Sequence, residues 1–386
     1  MTDIPYQVFP NEIICIIFTF ADITTKRSLL RLNNRYYDIF KDKIPNIITD
    51  KKYKKYKMYD KYCVEKFTLE LCNDGLFDKL ITPLFLNPNN EIIMDLLVIY
   101  NKLELLKIAI DNYSCSLTIN TCTLAALYGH LHILKWARQY KCEWSGKTCL
   151  NAGIGGHLDI LIWVMENGCD WGMGTCEEVA KHGHLDILIW AKEKNYSLDY
   201  NVCIQAAKNG HLNILKWLKE NGCNVDQNSM MWAAYNGHLD ILIWAYDNNF
   251  VFNEDVCAYA AAGGNLNILK WLIKNGCPWD EKTVAQAAGN GHLDILKWLK
   301  KNGCVLTEKC CATAAKQGNL HILKWLRENG CEWNDRTSYM AFKYGHLDIL
   351  IWLKENLCPW HPKISSDLAK LNLYWEMADW LKENGF

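Results

Sequence analysis

Residues 291–298 read Gly-His-Leu-Asp-Ile-Leu-Lys-Trp, and this stretch returns with small variations along most of the chain. Its glycine occurs nine times at a constant spacing of 27 residues, without an insertion. The copies of the glycine are Gly129, Gly156, Gly183, Gly210, Gly237, Gly264, Gly291, Gly318 and Gly345. A fixed period of about 20–50 residues is the signature of a stacked repeat array. The repeat therefore decides the fold.

The first half of the unit predicts a short helix. Asp280 is of a residue type that caps helix starts, because its carboxylate accepts the free N–H groups of the first turn. A helix is expected from Glu281 to Gly289, with Val284, Ala287 and Ala288 on its buried stripe.

The second half predicts a second helix from about Leu293 to Lys301, after a turn at Gly291 that uses a left-handed backbone. Asn302-Gly303 ends this helix. The side chains expected to face inward are Ile295, Leu296, Trp298 and Leu299. Trp occupies the position of Trp298 in all nine units, so a ladder of buried Trp side chains is predicted.

Composition restricts the classes of function. The net charge is −1, so the chain as a whole offers no field that attracts nucleic acid or an anionic membrane. No apolar run is long enough to suggest a membrane span, and residues 1–5 do not open a secretion signal. Lys and Tyr alternate within residues 51–62, which suits nucleic acid or a solvated helix face. With no other basic stretch, we favour the solvated face.

Of the 18 cysteines, eight recur at one repeat position and six at a second. Equivalent residues of neighbouring repeats are expected about 8–10 Å apart, whereas a disulfide needs Cα atoms within about 7 Å. There is no Cys-x-x-Cys pair of the kind that binds zinc. We therefore expect small buried hydrophobic side chains and a reducing compartment, the cytosol or nucleus.

Catalytic chemistry leaves no pattern in the sequence. The His, Cys and Asp residues fall on repeat positions, whereas an active site needs non-repeated residues that converge in one pocket. We predict no catalytic, cofactor or metal site, and a protein that is not an enzyme.

The unit resembles the ankyrin repeat. The resemblance is carried by Ala287-Ala288-x-x-Gly291-His292-Leu293-x-Ile295-Leu296-Lys297-x-Leu299-x-x-x-Gly303 and spans roughly residues 101–386, as about eleven units with degenerate ends. It implies an all-α fold, an α-solenoid of stacked helix-turn-helix repeats. An ankyrin repeat usually has about 33 residues, so this shorter unit implies β-fingers that are short or absent.

Variation just upstream of each glycine marks the candidate binding surface. In ankyrin repeats the first helix lines the concave face, and exposed Tyr and Trp side chains are enriched in binding hot spots. The predicted partner-binding residues are Tyr128, Lys181, His182, Lys208, Trp232, Tyr235, Tyr259, Lys316, Tyr339, Lys343 and Tyr344. The alternative is that these surface residues vary without a role.

A second departure from the repeat lies on the outward face of the second helix. Four units carry isoleucine where the others carry lysine, and these positions are candidates for self-association: Ile162, Ile189, Ile243 and Ile351. We otherwise expect a monomer.

Residues 1–45 do not share the repeat. They carry Phe9-Pro10-Asn11-Glu12, an apolar helix pattern, a Leu-rich helix pattern and Arg35-Tyr36-Tyr37, and they resemble an F-box. The residues that carry this resemblance are Phe9, Pro10, Glu12, Ile13, Ile16, Leu29, Leu30, Arg35 and Tyr37. The alternative is a helical cap that shields the first repeat. Residues 46–100 are expected to be helical or linker, with a possible degenerate repeat.

The short repeats and the F-box-like head together resemble ankyrin-repeat proteins that giant DNA viruses encode. The resemblance implies an adaptor whose head recruits the Skp-type subunit of a cullin–RING ubiquitin ligase, while the concave face holds the target. If the chain is viral, it acts in the host cell. The alternative is a plain scaffold or decoy that binds a host or viral protein, with the head only capping the array.

Overall fold

The structure, a computed structural model, describes residues 91–113, 115–362, 364 and 375–385. These residues contain 21 helices and no strand. They belong to two compact units, which meet in sequence between Met173 and Gly174. The predicted all-α class is confirmed for this part of the chain.

The described part of unit 1 contains three helix pairs. The helices are α1 (Glu91–Ile99), α2 (Leu103–Tyr113), α3 (Ile119–Leu127), α4 (Leu131–Gln139), α5 (Gly146–Gly155) and α6 (Leu158–Glu166). From α1 to α20, odd-numbered helices are the first helices of the repeat and even-numbered ones the second. α1 packs on α3 and α3 on α5, so the stack of first helices includes a pair that starts at residue 91.

Unit 2 continues the pattern with fifteen described helices. They are α7 (Thr175–His182), α8 (Leu185–Glu193), α9 (Tyr200–Lys208), α10 (Leu212–Glu220), α11 (Gln227–Asn236), α12 (Leu239–Asp247), α13 (Glu254–Ala262), α14 (Leu266–Lys274), α15 (Glu281–Gly289), α16 (Leu293–Lys301), α17 (Glu308–Lys316), α18 (Leu320–Glu328), α19 (Asp335–Lys343), α20 (Leu347–Glu355) and α21 (Trp375–Glu383). Consecutive first helices from α7 to α19 pack side by side, and each packs on its own second helix.

The predicted helix cap is present in unit 2. The Asp280 carboxylate accepts hydrogen bonds from the backbone N–H groups of Lys282 and Thr283, at 3.0 and 3.3 Å. Asn253 and Thr307 occupy the same position without a side-chain cap hydrogen bond. The cap position therefore precedes the first helices from α9 to α19, but only some of its side chains satisfy the free amides.

The Gly-His turn joins neighbouring repeats. Gly264 has φ +77°, a left-handed conformation that favours glycine, and the ring of His292 lies where a Cβ on Gly264 would sit, 2.6 Å from Cε1. In both units, the His or Asn that follows the repeat glycine donates a side-chain hydrogen bond to a carbonyl oxygen of the first helix in the preceding repeat. The donors are His130, His157, His211, His238, Asn265, His292, Asn319 and His346.

The core lies between the two helix layers. Val284, Ala287 and Ala288 of α15 are fully buried, as predicted. The aliphatic stripe of α16 is also fully buried and consists of Ile295, Leu296 and Leu299. Alanine on α15 lets the helices approach closely, and the aliphatic side chains of α16 fill the space behind them.

The prediction of a buried Trp ladder is wrong for eight of its nine positions. Trp136 is buried, at 7% exposed, whereas Trp298 and the other equivalents are half-buried. This position lies at the edge of the apolar stripe, and a lysine of the preceding repeat lies over the ring in Trp163, Trp217, Trp244 and Trp325. Lys300 Nζ lies 6.0 Å from the ring centre of Trp325 and donates to Asn329 Oδ1 at 2.7 Å. These Trp side chains thus stabilise the contact between the second helices of neighbouring repeats, through apolar packing and cation–π interactions.

Short loops replace the β-fingers. Residues 302–307 alone connect α16 to α17, and they contain no strand. The predicted short or absent fingers are therefore confirmed within the described residues. No helix in this part of the chain combines the length and apolarity needed to cross a membrane. The F-box-like residues from Phe9 to Tyr37, and all of the predicted head, lie outside the described residues.

Candidate partner-binding surface

The candidate surface is built by the first helices of unit 2. Residues five and two positions before each repeat glycine lie on one helix face, because spacings of three and four share a face. Since α7 to α19 pack side by side, these positions form adjacent rows across neighbouring repeats. We call this surface the first-helix face.

Three predicted residues form an aromatic cluster on this face. The rings of Trp232 and Tyr235 on α11 and of Tyr259 on α13 meet edge to face, with centroids 5.6 to 6.3 Å apart. Lys208 on α9 places Nζ 4.8 Å from the ring centre of Trp232. Tyr235 remains 36% exposed. The cluster therefore presents a pre-packed aromatic surface with a cation at its edge.

The end of α13, one turn after Tyr259, carries small residues. Ala262 ends α13 and Gly263 follows it, so close to α11 that a Cβ on Gly263 would lie 1.9 Å from the carbonyl oxygen of Tyr235. Ala262 and Gly263 have no side chain large enough to cover the aromatic cluster where α13 ends. A partner side chain can therefore reach the tyrosine edges.

A second group of predicted residues lines a groove on α15, α17 and α19. The groove has a volume of about 510 Å³, and its charged or aromatic lining is Asp280, Glu281, Lys282, Lys309, Lys316, Arg336 and Tyr344. Lys316 and Lys343 place Nζ 5.2 and 5.9 Å from the ring centre of Tyr344. We call this surface the basic groove.

Ion pairs neutralise only part of the basic groove. Lys282 pairs with Asp255 and Lys309 with Glu281, and these hydrogen bonds raise the pKa of each lysine. Within the described residues, no carboxylate oxygen lies within 4.0 Å of the side-chain nitrogens of Lys316, Arg336 or Lys343. The groove thus keeps cations that an acidic group of a partner can meet.

Four predicted residues lie outside both groups. Lys181 and His182 contact Glu178 of their own helix, at 2.9 Å for the Lys181 ion pair. The Tyr339 ring lies 4.7 Å from that of His361 and does not line the groove. Tyr128 belongs to unit 1, where its ring stacks at 6.4 Å on His130.

Sequence reasoning missed the position nine residues before the glycine. Lys309 and Arg336 occupy it and line the basic groove. The signal was available, because a residue nine before the glycine is one turn from the residue five before it and shares its face. The predicted binding residues come only from the last turns of the first helix, where variation among the repeats is greatest, so the first turn was left out.

No group of three His, Cys, Asp or Glu side chains in the described part of the chain is arranged to hold a metal ion. The cysteines among these residues are free thiols, most of them buried. The histidines of the Gly-His turns are engaged with backbone carbonyls, which gives them a structural role.

Comparison with known families agrees with this geometry. A family model described as ankyrin repeats (3 copies) matches residues 177–255, 230–310 and 256–337. A comparison with curated proteins found no match. Ankyrin repeats form a scaffold for protein–protein interaction, and both the aromatic cluster and the basic groove lie within or next to the matched range. Residues 177–337 of this chain are therefore ankyrin repeats.

Proposed function

We propose that the protein binds a protein partner through the first-helix face of unit 2. The observation that carries this proposal is the aromatic cluster of Trp232, Tyr235 and Tyr259, which is packed yet partly exposed. Rigid aromatic side chains with polar edges lose little conformational entropy on binding and are enriched in hot spots.

The basic groove supports a partner segment with acidic residues. Lys316 and Arg336 line the same groove as Tyr344, and Lys343 lies beside the Tyr344 ring. No described carboxylate neutralises these three cations. Charge complementarity of this kind directs specificity and association rate more than affinity. We assign the aromatic cluster to affinity and the groove to selectivity.

The test compares proteins captured from a lysate by wild type, by Trp232→Ala with Tyr235→Ala, and by Lys270→Ala with Lys297→Ala. The last variant changes exposed residues of α14 and α16 and serves as the control. A partner of the first-helix face is retained by wild type and control and lost by the aromatic variant. Equal retention by all three contradicts the assignment, provided circular dichroism shows equal helix content.

We further propose an adaptor role for the head, residues 1–45. Its support is the sequence pattern of Phe9-Pro10-Asn11-Glu12, the Leu-rich segment and Arg35-Tyr36-Tyr37. In this role the head recruits the Skp-type subunit of a cullin–RING ligase, in the cytosol or nucleus, and of the host cell if the chain is viral.

The adaptor role has its own test. Full-length protein and a variant lacking residues 1–50 are compared for retention of a Skp-type subunit from eukaryotic lysate. Retention by the full-length protein alone supports the role. Absence of the subunit from both captures contradicts the adaptor role and favours the alternative function, a plain scaffold or decoy. This outcome does not bear on the proposed binding face.

A further inference from the structure

Two pairs of thiols in unit 2 lie in direct contact. Cys257 Sγ donates to Cys277 Sγ at 3.2 Å, and Cys311 Sγ donates to Cys331 Sγ at 3.3 Å. Three of these four side chains are fully buried, and Cys277 is 6% exposed. The pairs link different repeat positions, since one member lies on a first helix and the other in the loop before the next first helix.

The local geometry favours closure of each pair. In a disulfide the sulfur atoms are about 2.05 Å apart, so each pair must close by little more than about 1 Å. Cys277 and Cys331 also donate to the carbonyl oxygens of Asn253 and Thr307, at 3.4 and 3.1 Å, which holds the loop thiols beside the helix. The sulfur atoms are thus positioned before any reaction.

One thiol of each pair is the better nucleophile. The hydrogen bond from Cys257 lowers the pKa of the Cys277 thiol, and the hydrogen bond from Cys311 lowers that of Cys331. The positive charge of Arg327 acts on Cys331 in the same direction. The thiolate is the form that attacks an oxidant, so the loop cysteine reacts first.

We propose that Cys257–Cys277 and Cys311–Cys331 are oxidation sites that form intramolecular disulfides when the protein meets a peroxide. The loop thiolate attacks one oxygen of hydrogen peroxide, the O–O bond breaks, and hydroxide departs as the leaving group. The loop cysteine is then a sulfenic acid. The helix thiol then attacks that sulfur, the S–O bond breaks, and the hydroxyl group leaves as water. In sum, two thiols and one hydrogen peroxide give one disulfide and two water molecules, with two electrons transferred to the peroxide.

Each disulfide ties adjacent first helices together. Cys311 lies on α17 and Cys331 lies four residues before α19 begins at Asp335, so this bond fixes two walls of the basic groove. Cys257 lies on α13, which carries Tyr259 of the aromatic cluster. The chemistry does not depend on the proposed partner, but its consequence falls on the proposed binding face.

The chain supplies an internal control between the two pairs. Cys304 has the same loop position as Cys277 and Cys331, but the first-helix position opposite is Val284, which has no thiol. Val284 is fully buried, and Cys304 donates instead to the carbonyl oxygen of Val305 at 3.3 Å. Cys304 therefore reports how a loop thiol behaves without a partner.

The experiment treats full-length protein with a few equivalents of hydrogen peroxide, blocks free thiols with iodoacetamide and maps peptides without reduction. The proposal expects crosslinked peptides for both pairs, each lighter by two hydrogen atoms, no crosslink at Cys304, and a rise in Tm that dithiothreitol reverses. It also expects Val284→Cys to gain a crosslink to Cys304. The proposal is overturned if the pairs remain alkylated as thiols while the more exposed Cys223 is oxidised, or if their crosslinks scatter among other cysteines.

Discussion

His292 of one repeat donates from Nε2 to the carbonyl oxygen of Ala262 in the preceding repeat, at 3.0 Å. Ala262 is the last residue of α13, so its carbonyl has no partner within the helix. The hydrogen bond therefore caps one repeat with a side chain from the next. Asn265 makes the equivalent bond to Tyr235 at 2.7 Å, which explains why Asn substitutes for His in the repeat.

The first prediction concerns this cap. His292→Ala removes the donor to Ala262 and should cost about 1–2 kcal/mol in the free energy of unfolding. His292→Asn should cost much less, because Asn265 and Asn319 already perform the same role with a side-chain amide. Urea denaturation followed by circular dichroism measures both. An equal loss of unfolding free energy in the two variants would show that His292 stabilises the protein by something other than this hydrogen bond.

The second prediction concerns the glycine that faces the histidine. Gly264 and Gly276 have nearly equal φ angles, +77° and +80°, so alanine is strained similarly at both. Only at Gly264 does a Cβ also meet the ring of His292, at 2.6 Å, while nothing lies within 4 Å of Gly276. Gly264→Ala should therefore destabilise by roughly 1–2 kcal/mol more than Gly276→Ala in the same denaturation assay.

The third prediction concerns pH and unit 1. Burial lowers the pKa of His130, whose Nε2 contacts the carbonyl oxygen of Ile99 at 3.2 Å. The unfolded chain thus binds a proton more readily than the folded one. The contribution of His130 to stability is complete above the unfolded-state pKa, about 6.5, and is lost as the pH falls through the lower folded-state pKa.

His130→Asn tests this without losing the side-chain donor, since Asn fills equivalent positions elsewhere. Thermal unfolding of both proteins is followed from pH 7.5 to pH 5. The wild-type Tm should fall more steeply than that of the variant. Parallel curves for the two proteins would remove His130 as a source of the pH dependence.

The fourth prediction concerns the basic groove. Lys316→Gln with Lys343→Gln removes two cations that flank Tyr344. Binding of a fluorescent polyglutamate peptide should weaken by about tenfold at low salt, and the difference should shrink as salt screens the charges. The matched control is Lys270→Gln with Lys297→Gln, which removes the same charge from second helices. A similar loss in the control would point to net charge and not to the groove.

Sequence periodicity predicted the local structure well. The predicted helices Glu281–Gly289 and Leu293–Lys301 have those bounds in the structure, because the cap residue, the glycine and the apolar spacing of this unit all indicate them. It failed for Trp298, since the helical period alone does not separate the centre of an apolar stripe from its edge. In four equivalent positions a lysine of the preceding repeat lies over the Trp ring, and the sequence of a single repeat does not show this contact.

The thiol contacts and the full width of the binding face needed the structure. The expected separation of about 8–10 Å applies to cysteines at equivalent repeat positions, whereas Cys257 meets Cys277 from a different repeat position. Whether a residue such as Lys316 keeps a free charge depends on which carboxylates lie across neighbouring helices, as Glu281 does for Lys309. The prediction of an F-box-like head at Phe9 to Tyr37 lies outside the described residues.

Hydroxyl-radical footprinting of the complex with the captured partner tests the central claim most directly, because it measures the solvent exposure of individual aromatic side chains. The account predicts that binding protects Trp232, Tyr235 and Tyr259, while Trp298 and Trp325 on the second helices are oxidised as in the free protein. Unchanged oxidation of the aromatic cluster, with protection of Trp298 or Trp325 instead, would contradict it.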